Sequence, residues 1–287
     1  MRKLVDLVAD PVSNLPPCYT APLFRPLLAE LLALLSALSP EDWQRPTVAP
    51  HWRVRDVAAH LLDGKLRRVA IYRDRHFPAV EKAPVSDVEI AQLVNGLNAG
   101  GVQFGARLSP RLLVDLLAIS GAWVAEVIEA LPPHDRAIFA VSWAGEGESA
   151  NWMDTGREYT EHWHHQMQIR DAVGATPLLL QPQWMMPLLD MSVRALPYAY
   201  RSVDVAAGSS LVLRVTGETS ATYTLHRDRA NWHVSAGAAD KPAATVEMAS
   251  DDVWRLFFNA PVDRSRIVVS GDVALAEPLV RTRSVIL

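Results

Sequence analysis

The chain has 287 residues, 49% apolar and 21% charged, with a formal net charge of −4. That is enough for two globular domains, and it lacks the basic excess that nucleic acid or an anionic membrane would call for. Its one cysteine, Cys18, excludes an internal disulfide and a cysteine-built zinc site.

The opening "MRKLVDLVAD" sets acids among its apolar residues and reads as no signal peptide, so a reducing, cytoplasmic setting is expected. Residues 1–20 read as an N-terminal arm. Leucines at 27, 28, 31, 32, 34, 35 and 38 then recur at helical spacing, in a run too short to cross a bilayer. Ser39 to Asp42 resembles a capping box for a short turn of helix. The stretch 54–73, "VRDVAAHLLDGKLRRVAIYR", predicts a helix apolar on one side and basic on the other. Residues 87–107 and 110–131 predict two more, the second bounded by Ser109-Pro110 and Pro132-Pro133. A Gly- and acid-rich loop, 143–151, leads to a helix at 154–173 that Gly174 closes. A further helix at 182–202 carries Pro187 and Pro197 as interruptions.

After Gly208 the period changes from helical to alternating. "SLVLRVTG", "TYTLHRD", "NWHVSAG" and "AATVEMAS" predict four strands. Ser250 caps a short helix, "RIVVSGD" follows, and a last helix is expected at 273–285. The expected organisation is multidomain: an all-α part over 21–205 followed by a small α+β part over 209–287.

The chemistry concentrates in "EYTEHWHHQMQIRD", residues 158–171. With about 100° of turn per residue, Glu161 and His165 project roughly 40° apart, His162 roughly 100° from Glu161 and His164 roughly 60° to its other side. An i,i+4 Glu/His pair is a geometry used for metal ligands in helical cores, and such a site needs a third ligand. The candidate is His60, set between Ala59 and Leu61 on the apolar side of its helix. A histidine there is either a hydrogen-bonded core residue or that ligand. His162 and His164 are expected to stay off the metal.

Neighbouring residues have competing readings. Asp56 is either a partner fixing the His60 tautomer or a helix-start acid. Gly64 either leaves space over a metal or allows close helix packing. Arg67 and Arg68 read as a solvated face. Trp52, Trp143 and Trp152 are candidates for a pocket wall, and Asp63 and Gln168 for a general base.

"W-x-V-x-D-V-x-x-H-L" at Trp52 to Leu61, paired with "E-x-x-x-H" and "A-x-G" between Glu161 and Gly174, resembles the mycothiol-dependent maleylpyruvate isomerases of the DinB-like metalloenzyme superfamily. The resemblance spans about residues 20–175, and the C-terminal part looks like a sterol-carrier-protein-like domain. It implies a four-helix bundle holding one divalent metal, usually zinc, on His60, Glu161 and His165. The chain departs from the family in having Met167-Gln168 where Trp-Asp is common. It also lacks a clear Gly-Arg pair in the C-terminal part, where Arg255 and Arg264 are the available arginines.

Two imidazoles and a carboxylate would leave zinc net positive with an open position. A thiol entering that position becomes a metal-bound thiolate nucleophile. With Cys18 set aside, mycothiol or another low-molecular-weight thiol is the expected co-substrate, acting on a small-molecule substrate. The rival readings are a zinc-water hydrolase and a non-catalytic protein carrying a small apolar ligand.

Overall fold

The computed structural model describes residues 13–77 and 87–282. They divide into two compact units that interleave along the chain: 20–131 with 161–176, and 13–19 with 132–160 and 177–282.

The first unit is helical. Helix α1 (Phe24–Ser36) buries Phe24, Leu27, Leu31 and Leu35, one residue per turn. Ser39 and Asp42 bond each other reciprocally (Asp42 N–H to Ser39 Oγ, 3.1 Å; Ser39 N–H to Asp42 Oδ2, 3.1 Å) and open a short turn at Asp42–Gln44. Helix α2 (Val54–Tyr72) starts where Asp56 Oδ2 accepts the Arg53 N–H at 2.9 Å, and α3 spans Asp87–Gly105. Helix α4 (Pro110–Glu129) has Ser109 as N-cap and proline in its first turn, where no N–H partner is lost.

Helix α5 (Asn151–Val173) ends in a Schellman motif. Gly174 takes φ 74°, Ala175 N–H reaches Arg170 O at 2.8 Å, and Gly174 N–H reaches Asp171 O at 3.3 Å. One apolar core joins Leu31 and Leu35 of α1, Val57, Leu61 and Leu62 of α2, Leu113 and Leu117 of α4, and Ile169 of α5. Helix α3 lies close on α2, because a side chain at Gly105 would collide with Ala59 and one at Gly101 with Asp63.

The second unit contains a five-stranded sheet. Strands β1 (Ser210–Thr216), β2 (Ala221–Arg227), β3 (Trp232–Ala236), β4 (Ala244–Ala249) and β5 (Val268–Gly271) lie in the order β3-β2-β1-β4-β5. Among these five strands only β1 and β4 pair in parallel. Leu211, Val212 and Leu213 of the central strand are all buried, whereas β4 alternates, with Ala244, Val246 and Met248 inside. In this unit α6 is Pro177–Leu180, α7 is Pro182–Ser192 and α8 is Ala195–Ala199. Helices α9 (Ser250–Phe257) and α10 (Val273–Arg281) both pack on β4.

Two expectations change. The helix foreseen over 182–202 breaks between Ser192 and Ala195, not at its prolines. Pro187 is carried inside α7 at the loss of one backbone bond, and Pro197 falls in the first turn of α8, where its missing N–H has no intrahelical partner to lose. The contacts also divide the chain elsewhere than at 205–209. Residues 177–205 join the sheet: Tyr200 donates to Leu275 O (2.7 Å), Trp232 Nε1 to Val203 O (3.3 Å), and Tyr223 to Asp190 (2.7 Å). Of the arm and the last helix, residues 1–12 and 283–285 lie outside the described residues. No described helix is long and apolar enough to cross a membrane.

Candidate functional site

Helix α2 and the second half of α5 bring the expected residues together inside the helical unit. His60 Nε2 stands 3.0 Å from His165 Nε2, and Glu161 Oε2 stands 3.4 Å from the same nitrogen. The loop before α2 adds Trp52. Thr47 N–H and Oγ1 bond Trp52 O at 3.0 and 2.9 Å, and the indole lies 4.9 Å from the His60 ring and 6.4 Å from that of His165. The His165 side chain is nearly buried, while that of Glu161 keeps 31% of its surface exposed.

The other two histidines of α5 turn elsewhere, as the helical angles require. His162 receives Lys65, whose Nζ lies 3.2 and 3.1 Å from its ring nitrogens, and meets the Phe24 ring edge-on. His164 Nε2 is 3.0 Å from the amide nitrogen of Gln168, whose oxygen is 2.9 Å from His165 Nδ1. Burial holds the His164 imidazole well below the usual histidine range, with His165 and His60 adding to the effect. Among the described residues, no group of three or more His, Cys, Asp or Glu side chains forms a ready metal-holding set.

Several neighbours find definite roles. Asp56 serves the start of α2. Asp63 pairs with Arg67 at 2.8 Å, and Arg67 also reaches Asn98 at 2.9 Å, so Asp63 is already engaged as an anion. A methyl group at Gly64 would meet open space, so close packing is not what requires the glycine. The side of α2 expected to be basic and solvated is in part interior. Lys65 is buried against His162, and Arg68 is buried with its guanidinium 3.8 Å above the Tyr72 ring. Sequence reading missed the Lys65–His162 contact and the bridging role of Gln168. The available signal was a lysine flanked by Leu61, Leu62, Leu66 and Val69.

In the other unit, Trp143 and Trp152 belong to a small apolar cluster with Val141, Met153 and Met191. Burial first, then Asp190, pushes the Cys18 thiol up to about 12, against a partial offset from Arg194. Arg255 bonds Asp251 at 3.1 Å and lies against Trp254, and Arg264 is exposed in a short turn.

The family described as the mycothiol maleylpyruvate isomerase N-terminal domain matches residues 24–170. Among curated protein sequences none matches. Two crystal structures are similar over 91% of this chain and 95% of theirs, each at 15% identity. One is of a mycothiol-dependent maleylpyruvate isomerase (TM-score 0.53), the other of a mutant of that isomerase with a histidine replaced by alanine (TM-score 0.51). At that identity the likeness speaks for the fold alone. The family match itself covers just over half of the 287 residues, and the chain belongs to the mycothiol maleylpyruvate isomerase N-terminal domain family.

Proposed function

We propose that this protein is a thiol-dependent metalloenzyme of the isomerase or S-transferase type, using mycothiol or a related low-molecular-weight thiol as co-substrate. The observation that carries the reading is His165 Nε2, standing 3.0 Å from His60 Nε2 and 3.4 Å from Glu161 Oε2. Ligand atoms about 2.0 Å from a tetrahedral zinc lie about 3.3 Å from one another. That spacing supports His60, Glu161 and His165 as ligands of one divalent metal, zinc before others. The two imidazole nitrogens need to part by only about 0.3 Å from their 3.0 Å separation to match it.

His60, Glu161 and His165 would hold such an ion, and the chemistry it would supply is the acidification of a thiol. The chain's own residues do the rest. Trp52 covers the His60 side, and the exposed flank of Glu161 leaves an approach for a small molecule. Cys18, with its thiol pushed up to about 12, stays protonated at neutral pH, so the thiol has to come from outside the chain. A core shared by α1, α2, α4 and α5 supports a DinB-like four-helix bundle. The sheet with α9 and α10 supports a sterol-carrier-protein-like domain.

Cobalt-substituted protein tests the reading directly. Small thiols should produce a sulfur-to-metal charge-transfer band. If no thiol perturbs the spectrum while esters or amides turn over without one, the proposal fails in favour of a zinc-water hydrolase. A companion measurement checks the exclusion of Cys18. A thiol moved from 9.0 to about 12 keeps about a thousandth of its thiolate near pH 8. Alkylation in the folded protein should therefore be about 1000-fold slower than after denaturation. Comparable rates would return Cys18 as a nucleophile.

A further inference from the structure

Helix α5 carries a hydrogen-bonded line of three side chains, His164–Gln168–His165, buried at 3%, 5% and 9% exposure. Each end of the Gln168 amide has a single chemical role: its oxygen can only accept and its nitrogen can only donate. With the amide oxygen toward His165 Nδ1 at 2.9 Å, that nitrogen carries the hydrogen. In the same orientation the amide nitrogen donates to His164 Nε2 at 3.0 Å, which is then the acceptor. A neutral imidazole has one N–H and one lone pair. Protonation at Nδ1 therefore leaves the lone pair of His165 on Nε2, the atom that faces His60 and Glu161.

We infer that Gln168 is a positioning residue that selects the tautomer of His165 through this three-member line, keeping its Nε2 free as a donor atom. The use of that lone pair as a metal ligand rests on the function proposed above; the tautomer itself rests on which end of the Gln168 amide faces which ring. The amide is chemically suited to the place. A carboxylate at 168 would also accept from His165 Nδ1, but it could not donate to His164 Nε2. It would also make the His165 imidazole a more basic ligand, as carboxylate partners of metal-bound histidines do. The neutral amide would leave a metal held at His165 more positive, and would thereby make a thiol bound to it more acidic. Turning the amide over would reverse both tautomers and put a hydrogen on His165 Nε2, closing that position to a metal. The orientation of Gln168 thus ties the proton on the fully interior His164 to the availability of the site.

The test is nitrogen-15 NMR of histidine-labelled, metal-free protein, which distinguishes Nδ1–H from Nε2–H rings. Nδ1–H tautomers are expected at both His164 and His165, with His60 holding its hydrogen on Nε2 to bond His165. A His165 ring protonated at Nε2 would overturn the inference without any variant having to fold. Two substitutions then separate positioning from packing. Gln168→Leu should abolish the tautomer preference of His165 and weaken zinc binding by about 10- to 100-fold. Gln168→Glu should keep His165 as Nδ1–H and restore zinc affinity, while shifting the hydrogen of His164 to Nε2. An unchanged His165 tautomer in Gln168→Leu, or equal losses in both variants, would contradict the inference. Wild-type protein with the expected tautomers but no zinc binding would support the inference and contradict the metal reading.

Discussion

Helix α4 and the second half of α5 belong to the same unit and invert each other's chemistry. Helix α4 is apolar enough to leave Leu112, Ile119 and Trp123 at 42%, 49% and 39% exposure. In α5 every residue from Trp163 to Arg170 is buried, and five of those eight are histidine, glutamine or arginine. An exposed leucine needs no special account, whereas a buried polar group without a partner costs roughly 1–3 kcal/mol. Partners are therefore built in. Arg170 donates to Glu30 O and Ala175 O at 3.2 and 3.3 Å, and Gln168 links two histidines. Stability alone would favour an apolar α5. Under the proposed function, its buried polarity is the cost of placing chemistry inside the fold.

The largest effect should come from the same substitution made on both helices. Trp163→Ala removes a fully buried indole and should cost about 3–5 kcal/mol. Trp123→Ala removes a partly exposed one, 5.4 Å from the Arg73 guanidinium, and should cost about 1 kcal/mol or less. Urea unfolding of the two variants measures the contrast, and equal losses would break it. Next comes Arg170→Met, which keeps much of the volume but leaves the Glu30 and Ala175 carbonyls without their donor. A loss of about 1–3 kcal/mol is expected. A neutral or stabilising outcome would show that this buried charge is not repaid by its bonds.

On α2 the direction reverses. Gly64 faces open space, so Gly64→Ala should raise the unfolding free energy by up to about 1 kcal/mol, read as a higher urea midpoint. If the same variant weakens thiol binding, the space beside His60 is used by ligand. The smallest effect belongs to α4: Ile119→Lys should stay within about 0.5 kcal/mol of wild type, and a larger loss would mean that this face is covered.

Much of this was legible in the sequence. Leucine spacing marked α1, Ser109-Pro110 marked the start of α4, and Gly174 marked the end of α5. Alternation after Gly208 marked β1 to β4, because each of these signals is local. The approach of His60 and Glu161 to His165 Nε2 was suggested by the angular step of a helix and one histidine in an apolar setting, and the three together were what the family resemblance implied. The burial of Lys65 and Arg68 was not legible, since a cation among leucines looks amphipathic until its partners, His162 and the Tyr72 ring, are in place. The bridging amide of Gln168 was hidden for a different reason. It depends on side-chain rotamers that spacing does not encode. The passage of α7 through Pro187 shows that proline permits a break without requiring one.

The central claim is that the buried polar face of α5 is organised around a metal held with α2. Metal analysis of purified, zinc-reconstituted protein and of its His60→Ala variant tests it most directly, with circular dichroism confirming that the variant keeps its helices. The account predicts one divalent metal per wild-type chain and none in the folded variant. A metal-free wild type after reconstitution, or full occupancy in His60→Ala, would contradict it.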